Sequence, residues 1–430
     1  MQRKLMQKLI RWKDEPDRMP LLIYGARQVG KTWLLDTFGK QNFEDTIYVN
    51  FETDSRLSTS FAENLNPRFL LNILETYYNK RIYPQRTLII FDEIQACERA
   101  LTSLKYFCEQ APEYTIVAAG SLLGVAVNRE KYSFPVGKIE MLTLYPLDFE
   151  EFLWASGLER LATEIRTAYD TDTPLPEALH YKALEQYKYY LILGGMPHAV
   201  NAYLKELRLI DAINVQSVIQ NSYIADMSKY ASPSEATKVM ACFNSIPSQL
   251  AKENHKFQYK VVQTGGSATI FGASIDWLTA AGVVMKCHKI EHGIMPPAVY
   301  QNLSCFKLYM GDIGLLTLKS RISPHSILSD IEGNLFVGSI AENYVAQTLK
   351  TNGYDLYYWE SKNQAEVDFV IQRDEQIIPI EVKSGIHTRS RSLSVYVSKY
   401  KPAFSIRLSA KNFGVKNNIK SVPLYAAFCL

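Results

Sequence analysis

The stretch Leu21-Leu22-Ile23-Tyr24-Gly25-Ala26-Arg27-Gln28-Val29-Gly30-Lys31-Thr32-Trp33-Leu34-Leu35 decides how the first part of this chain folds. An apolar run is followed by GARQVGKT, a GxxxxGK[ST] pattern, and then by an apolar helix start. That order predicts strand, phosphate-binding loop and helix. Gly25 and Gly30 allow the backbone to curl so that successive N–H groups face phosphate oxygens, and the helix that follows adds the positive end of its dipole. Gly25, Ala26, Arg27, Gln28, Val29, Gly30, Lys31, Thr32 and Trp33 are therefore the expected nucleotide-binding residues. Lys31 would reach the β- and γ-phosphates, and the Thr32 hydroxyl would ligate Mg²⁺.

Outward from this loop, short β-rich runs alternate with helical segments from Pro20 to about Leu153, as a parallel α/β sheet requires. The expected strands are Leu21 to Tyr24, Thr46 to Asn50, Thr87 to Phe91, Thr115 to Ala119 and Ile139 to Leu144, each apolar enough to be buried on both faces. The third runs into Asp92-Glu93. An acidic pair at the carboxyl end of a core strand, downstream of such a loop, suits a metal-holding first member and a water-orienting second. Asp92 is thus expected on the metal and Glu93 on the attacking water, although acidic residues also favour helix starts. The fourth run ends in Ala119-Gly120-Ser121, where Ser121 would sense the γ-phosphate or serve as a turn residue. The chain has no [NT]KxD guanine-reading motif, so ATP is the expected nucleotide.

With 430 residues, the chain is long enough for two to four domains. At 47% hydrophobic and 21% charged residues its composition is globular, and a net charge of +3 does not by itself imply a nucleic-acid partner. The six cysteines lack CxxC pairs or His partners at zinc spacing and read as buried thiols of a reducing, cytoplasmic compartment. No stretch reaches membrane-spanning length, and Leu5, Leu9 and Trp12 fall near one face of a packed first helix.

Glu150 to Tyr230 reads as helical, broken at Thr171 to Pro176 and at Gly194-Gly195-Met196-Pro197. Tyr181, Leu184, Tyr187 and Leu191 recur at helical spacing and are expected in the core. Further on, a helix Glu235 to Leu250 precedes a second from Ser267 to Ala281, with Ile270, Ser274, Trp277, Leu278 and Ala281 on one side. Two β-rich segments follow, Val283 to Ile290 and Val299 to Met310. Helix, helix and β-ribbon suggest a winged-helix-like module, but the second helix carries no Arg or Lys, which favours structural or protein docking over DNA reading.

The last hundred or so residues hold a second constellation. Leu335 to Lys350 predicts an amphipathic helix containing Glu342, followed by a hairpin of Glu366 to Ile371 and Ile377 to Lys383. Side chains alternate along a strand, so Glu381 and Lys383 share a face that Asp368 can meet from across the hairpin. Asp368 and Glu381 could hold a divalent metal there, with Lys383 stabilising charge on an attacked phosphate. A solvated, salt-bridged strand face is the plainer alternative.

Taken together, GARQVGKT, LIIFDEIQ, AAGS, YPLDFEEF (145–152), GGMP (194–197), KLYMGDIGLL (307–316), AEVDFVI and IPIEVKSG resemble the prokaryotic AAA-type ATPases that carry a C-terminal PD-(D/E)XK nuclease-like domain. The resemblance implies an α/β multidomain protein: a P-loop ATPase core (1–153), a helical lid (154–232), a winged-helix-like module (233–318) and a nuclease-like domain (319–430). It also implies Mg²⁺-dependent ATP hydrolysis using Lys31, Glu93 and Ser121, and a nuclease-fold signature of Glu342, Asp368, Glu381 and Lys383, with Mg²⁺ or Mn²⁺ on Asp368 and Glu381, that binds or cleaves DNA or RNA. A homo-oligomer is expected. Lys138 stands where such proteins often carry an arginine, and lysine lacks the planar fork of an arginine finger, leaving Arg27 or Arg129 for that role. The other reading is an ATP-driven switch whose later domains are docking modules without catalysis.

Overall fold

A computed structural model describes residues 1–121, 134–230, 232–252, 255–329, 336–361, 365–385 and 391–430. Its residues gather into two compact units, 2–145 with 280–282, and 146–279 with 283–430.

The first unit is built on five parallel strands, β1 (Leu21–Tyr24), β2 (Asp45–Asn50), β3 (Thr87–Asp92), β4 (Thr115–Gly120) and β5 (Glu140–Thr143), in the order β2-β3-β4-β1-β5. Each lies within a residue or so of its sequence expectation. The central strands β3 and β4 are buried throughout, whereas β2 and β5 are the sheet edges and leave Tyr48 and Met141 exposed. Burial on both faces therefore holds only for the interior of the sheet. On one face Phe51, Phe61 and Phe91 meet edge to face, with ring centroids 5.2–5.6 Å apart, an arrangement that adds to the area they bury. The first helix, Leu5–Asp14, buries Leu5, Leu9 and Trp12 as its spacing predicts.

The second unit begins inside YPLDFEEF, at Pro146, and the acidic residues of that segment are structural. Asp148 and Glu151 form a reciprocal capping box at the start of helix Phe149–Ala155, and buried Glu150 pairs with Arg166. Helices Glu177–Leu193 and Pro197–Glu206 are separated by the GGMP turn, in which Pro197 takes the first helical position. A Cβ on Gly195 would lie 2.0 Å from the Leu147 carbonyl oxygen, so that backbone approach admits only glycine. Tyr187 and Leu191 are buried as expected, but Tyr181 is 61% exposed. In helix Ala268–Ala280 the buried face is Phe271, Ser274, Ile275 and Leu278, and Ile270 points outward, one position away from the face the spacing suggested.

The β-ribbon expected to form a wing is part of a larger sheet. Strands β6 (Val284–Ile290), β7 (Gln301–Met310), β8 (Tyr357–Ser361), β9 (Ala365–Arg373), β10 (Gln376–Val382), β11 (Ser405–Ser409), β12 (Gly414–Lys416) and β13 (Ile419–Pro423) form one mixed sheet in the order β12-β13-β11-β10-β9-β8-β6-β7. The ribbon joins it through the parallel pair His288↔Tyr357, Lys289↔Tyr358 and Ile290↔Trp359. The helices expected as a lid cluster with this sheet as well. Asp312 accepts the Gly195 N–H at 2.7 Å, Gln347 donates to the Tyr190 hydroxyl at 3.0 Å, and Thr317 donates to the Leu191 carbonyl at 2.7 Å. The GGMP and KLYMGDIGLL segments are therefore two sides of one packed junction. Of the cysteines, Cys97, Cys242 and Cys287 are buried and the other three are partly exposed.

Candidate functional site

Parallel pairing brings the first set of candidates to one end of the first sheet. Tyr24 pairs with Gly120 and Asn50 with Asp92, so Gly25, Ser121 and Asp92-Glu93 all follow from the carboxyl ends of neighbouring strands. In an open α/β sheet that end is where ligands bind. Gly25 is held so close to the Leu144 carbonyl that a Cβ would lie 2.1 Å from its oxygen. Gln28 and Gly30 adopt positive φ (66° and 94°), and helix Lys31–Asn42 starts at once. This is the strand, loop and helix order expected of GARQVGKT.

Lys31 is buried, and its Nζ donates to the carbonyls of Gly25 and Ala26, both at 2.9 Å. Burial pushes its ammonium down to about 8, against the opposing pull of Glu93 and Asp92. An anion brought to the loop would restore the full charge. The Thr32 hydroxyl donates to Asp92 Oδ2 at 2.7 Å, so the two oxygens expected to hold Mg²⁺ are already in contact. A hydroxyl and a buried carboxylate are hard oxygen donors of the kind Mg²⁺ takes together with substrate phosphates, and the pair fits that ion. Glu93 sits in the left-handed region (φ 50°), its N–H donates to Asp92 Oδ1 at 2.9 Å, and Gln95 donates to its carboxylate. Ser121 is buried immediately after β4, while Trp33 is 46% exposed on the helix. Lys138 forms an ion pair with Glu109 at 3.2 Å, and Arg129 lies outside the described residues.

Two further residues belong to this site. The Tyr48 hydroxyl donates to Asp92 Oδ2 at 2.7 Å, and the proximity of Asp92, added to burial, raises the phenol to about 12. Arg3, only 5% exposed, donates to the Val29 carbonyl inside the loop at 2.9 Å and to the Tyr145 carbonyl at 2.5 Å. Tyr48 had a signal, a polar tip at the end of a strand adjacent to β3. Arg3 had none, since it is remote in sequence and sits in an ordinary basic N-terminus.

The second set lies in the other unit. Glu342 is on helix Phe336–Thr351, Asp368 on β9, and Glu381 and Lys383 at the end of β10; Leu335, the expected start of the helix, lies outside the described residues. The hairpin forms with Ile380 opposite Phe369, and Asp368 Oδ2 accepts the Val382 N–H at 2.7 Å. What the motif did not reveal is Lys307 on β7. Its side chain is 0% exposed, and its Nζ lies 2.8 Å from Glu342 Oε1 and 2.5 Å from Glu366 Oε1. The Tyr309 hydroxyl donates to the same Glu342 oxygen, and His255 Nδ1 lies 2.8 Å from Glu342 Oε2. Burial alone would lower the Lys307 pKa, but Glu342, Glu366 and Asp368 outweigh it and hold the ammonium well above the ordinary lysine value. Burial and the Glu342 charge raise Asp368. Glu381 is bracketed by Lys383 and Arg407, each at 3.4 Å.

This donor set does not fit a resident divalent metal. Four carboxylates (Glu342, Glu366, Asp368, Glu381) face three cations (Lys307, Lys383, Arg407), which leaves about one negative charge for a dication. Among the described residues no group of three or more His, Cys, Asp or Glu is arranged to hold a metal ion.

Residues 17–153 match an AAA domain family, residues 184–326 a domain of unknown function (DUF8612) and residues 337–427 another (DUF4143). The first region is thus a P-loop AAA-type domain, the fold of ATP binding and hydrolysis. Over 408 residues the chain is 23% identical to the uncharacterized protein MJ1544 of Methanocaldococcus jannaschii, covering 91% of this chain and 81% of that protein. Among solved structures it is similar to the Walker-type ATPase PABY2304 of Pyrococcus abyssi (15% identity, 74% of this chain and 94% of that one, TM-score 0.43). It is also similar to the ORC2 protein of Aeropyrum pernix (14% identity, 80% and 92%, TM-score 0.37). No helix among the described residues is long and apolar enough to cross a membrane.

Proposed function

We propose that this chain is a Mg²⁺-dependent ATPase that works as a nucleotide-driven switch, with the 146–430 unit as the arm that engages a partner. The observation that carries the proposal is the contact of Thr32 Oγ1 with Asp92 Oδ2 at 2.7 Å beside a buried Lys31. These are the groups that hold Mg²⁺ and the γ-phosphate in P-loop enzymes, brought together from residues 60 apart in sequence. Thr32 and Asp92 would hold Mg²⁺, whose charge would offset the negative charge that builds up as the γ-phosphoryl group leaves. Lys31 would exchange the Gly25 and Ala26 carbonyls for phosphate oxygens, loop N–H groups would donate to the same phosphates, and Glu93 would orient the attacking water. Ser121, at the end of the adjacent strand, would read the γ-phosphate.

Lys138 is committed to Glu109, so a transition-state arginine would come from Arg27, from Arg129 or from a second copy of the chain. The last source predicts a homo-oligomer whose turnover per subunit rises with protein concentration. Cysteines spread without CxxC pairs or zinc spacing suit a reducing compartment such as the cytoplasm.

Cleavage of DNA or RNA by the C-terminal cluster is favoured by the placement of Asp368 across from Glu381 and Lys383, and opposed by the cations already seated there. The partner arm can still bind nucleic acid without cutting it. A gel-shift titration across salt concentrations, with and without ATP, separates the cases: phosphate contacts give steep salt dependence, whereas protein docking gives no shift. For the ATPase half, Glu93→Gln is expected to bind Mg·ATP normally and to lose about a hundredfold or more in turnover. Normal turnover by that variant would remove Glu93 from the mechanism.

A further inference from the structure

The geometry points to Lys307 as the resident cation of the C-terminal carboxylate cluster: its ammonium occupies the Glu342 and Glu366 oxygens that a divalent ion there would need, and the cluster serves as a lock joining β7, β9 and helix Phe336–Thr351. The inference deepens the non-cutting half of the proposed function and is independent of the ATPase half.

Three observations converge on it. Lys307 lies in Phe306-Lys307-Leu308-Tyr309-Met310, a run that is buried at every position, so its charge has no route to water. Lysines normally keep the ammonium in solvent even when the stem is buried, and a wholly buried one persists only when carboxylates surround it. Here Glu342 and Glu366 supply them from two different elements, at 2.8 and 2.5 Å. Those are full ion-pair contacts, which leave no room for a metal on the same oxygens.

Secondly, Glu342 is saturated. One oxygen takes Lys307 and the Tyr309 hydroxyl, and the other takes His255 Nδ1, whose Nε2 lies 3.2 Å from the Ser339 hydroxyl. A carboxylate with both oxygens occupied by protein donors is poorly placed to ligate a metal. Thirdly, the neighbouring groups reinforce the join between elements. Asn343 donates to the Met310 carbonyl and accepts the Met310 N–H, and Gln347 accepts the Ile313 N–H. One face of the helix is thus pinned along the strand that carries Lys307, with the ion pair in the middle.

The test uses the full-length, nucleotide-free protein and Mn²⁺ as the probe, read by electron paramagnetic resonance and thermal unfolding. Wild type is expected to bind no Mn²⁺ at the C-terminal cluster and to keep its thermal midpoint unchanged in millimolar Mn²⁺. Lys307→Met is expected to lower the midpoint by about 10 °C, since it strands two buried carboxylates. If that variant does not fold, the double variant Lys307→Met/Glu342→Gln serves, because removing both charges is expected to recover folded protein. The inference is overturned if wild type binds one Mn²⁺ that is lost on Asp368→Asn or Glu381→Gln. It is equally overturned if Lys307→Met leaves the midpoint unchanged, or if the double variant is no more stable than the single one.

Discussion

Replacing Arg3 by alanine separates a tether from a plain packing residue. The guanidinium spans two carbonyls, Val29 at 2.9 Å inside the phosphate-binding loop and Tyr145 at 2.5 Å just after β5. At 5% exposure it leaves little room for water to replace it. A hydrogen bond from a charged donor contributes about 1.5–3 kcal/mol, so losing both is expected to destabilise the first unit by roughly 3–6 kcal/mol. The Val29 bond alone bears on function, because Val29 immediately precedes Gly30 and Lys31. Losing its ~1.5 kcal/mol lets the loop leave its curled geometry, which corresponds to about tenfold weaker binding of ATP. The assays are urea unfolding of the nucleotide-free protein and a calorimetric titration with Mg·ATP. Arg3→Lys should recover only part of the effect, since lysine lacks the planar guanidinium whose two terminal nitrogens reach the separate carbonyls. Lower stability with unchanged ATP affinity would refute the reasoning and leave Arg3 as part of the scaffold only.

Tyr48→Phe removes one of the two side-chain donors on Asp92 Oδ2 while keeping the ring, and is expected to change the Mg²⁺ dependence of turnover severalfold with less than about 1 kcal/mol of stability lost at this half-exposed site; an unchanged Mg²⁺ titration would count against a role at the metal position. Gly195→Ala, which would set a Cβ 2.0 Å from the Leu147 carbonyl oxygen, is expected to destabilise the second unit by more than about 3 kcal/mol, read as insoluble protein or an early melting transition. Burial raises Asp312 to about 6, against the pull of the Gly195, Leu315 and Gly314 N–H groups. Because the folded value lies above the ordinary 3.8, the folded state holds the proton more tightly; the contribution is fully present below about pH 4 and is lost as pH rises through 6, a change on the order of 3 kcal/mol. Unfolding of wild type and Asp312→Asn in parallel from pH 4 to 7 should show wild type losing ground over that window, and parallel curves would contradict it.

The parts of this molecule that were legible in its sequence are those written in short, contiguous patterns. GARQVGKT fixes its own loop because two glycines and a helix start lie within eight residues, and the run into Asp92-Glu93 announces a buried strand ending in carboxylates. The hairpin of β9 and β10 was visible for the same reason: its turn, at Asp374, joins two alternating runs. What remained hidden depends on pairing at a distance. That β6 would pair with β8, some 70 residues on, rather than fold back as a wing, is set by which apolar faces need covering in three dimensions. Lys307 lies within KLYMGDIGLL, yet its partners Glu342 and Glu366 come from other elements. The available signal was a lysine inside an uninterrupted apolar strand, which implies a buried counter-charge. Tyr181 and Ile270 were placed in the core by spacing alone, but each fell just outside the buried arc of its helix.

The central claim is that Lys31, Thr32 and Asp92 form a working ATP site, and ATP hydrolysis by purified wild type beside Lys31→Ala, with and without Mg²⁺, tests it most directly. Wild type is expected to release phosphate in a Mg²⁺-dependent reaction, and the variant to lose that activity by about a hundredfold or more. Equal rates in the two proteins, or a wild-type rate indifferent to Mg²⁺, would contradict it.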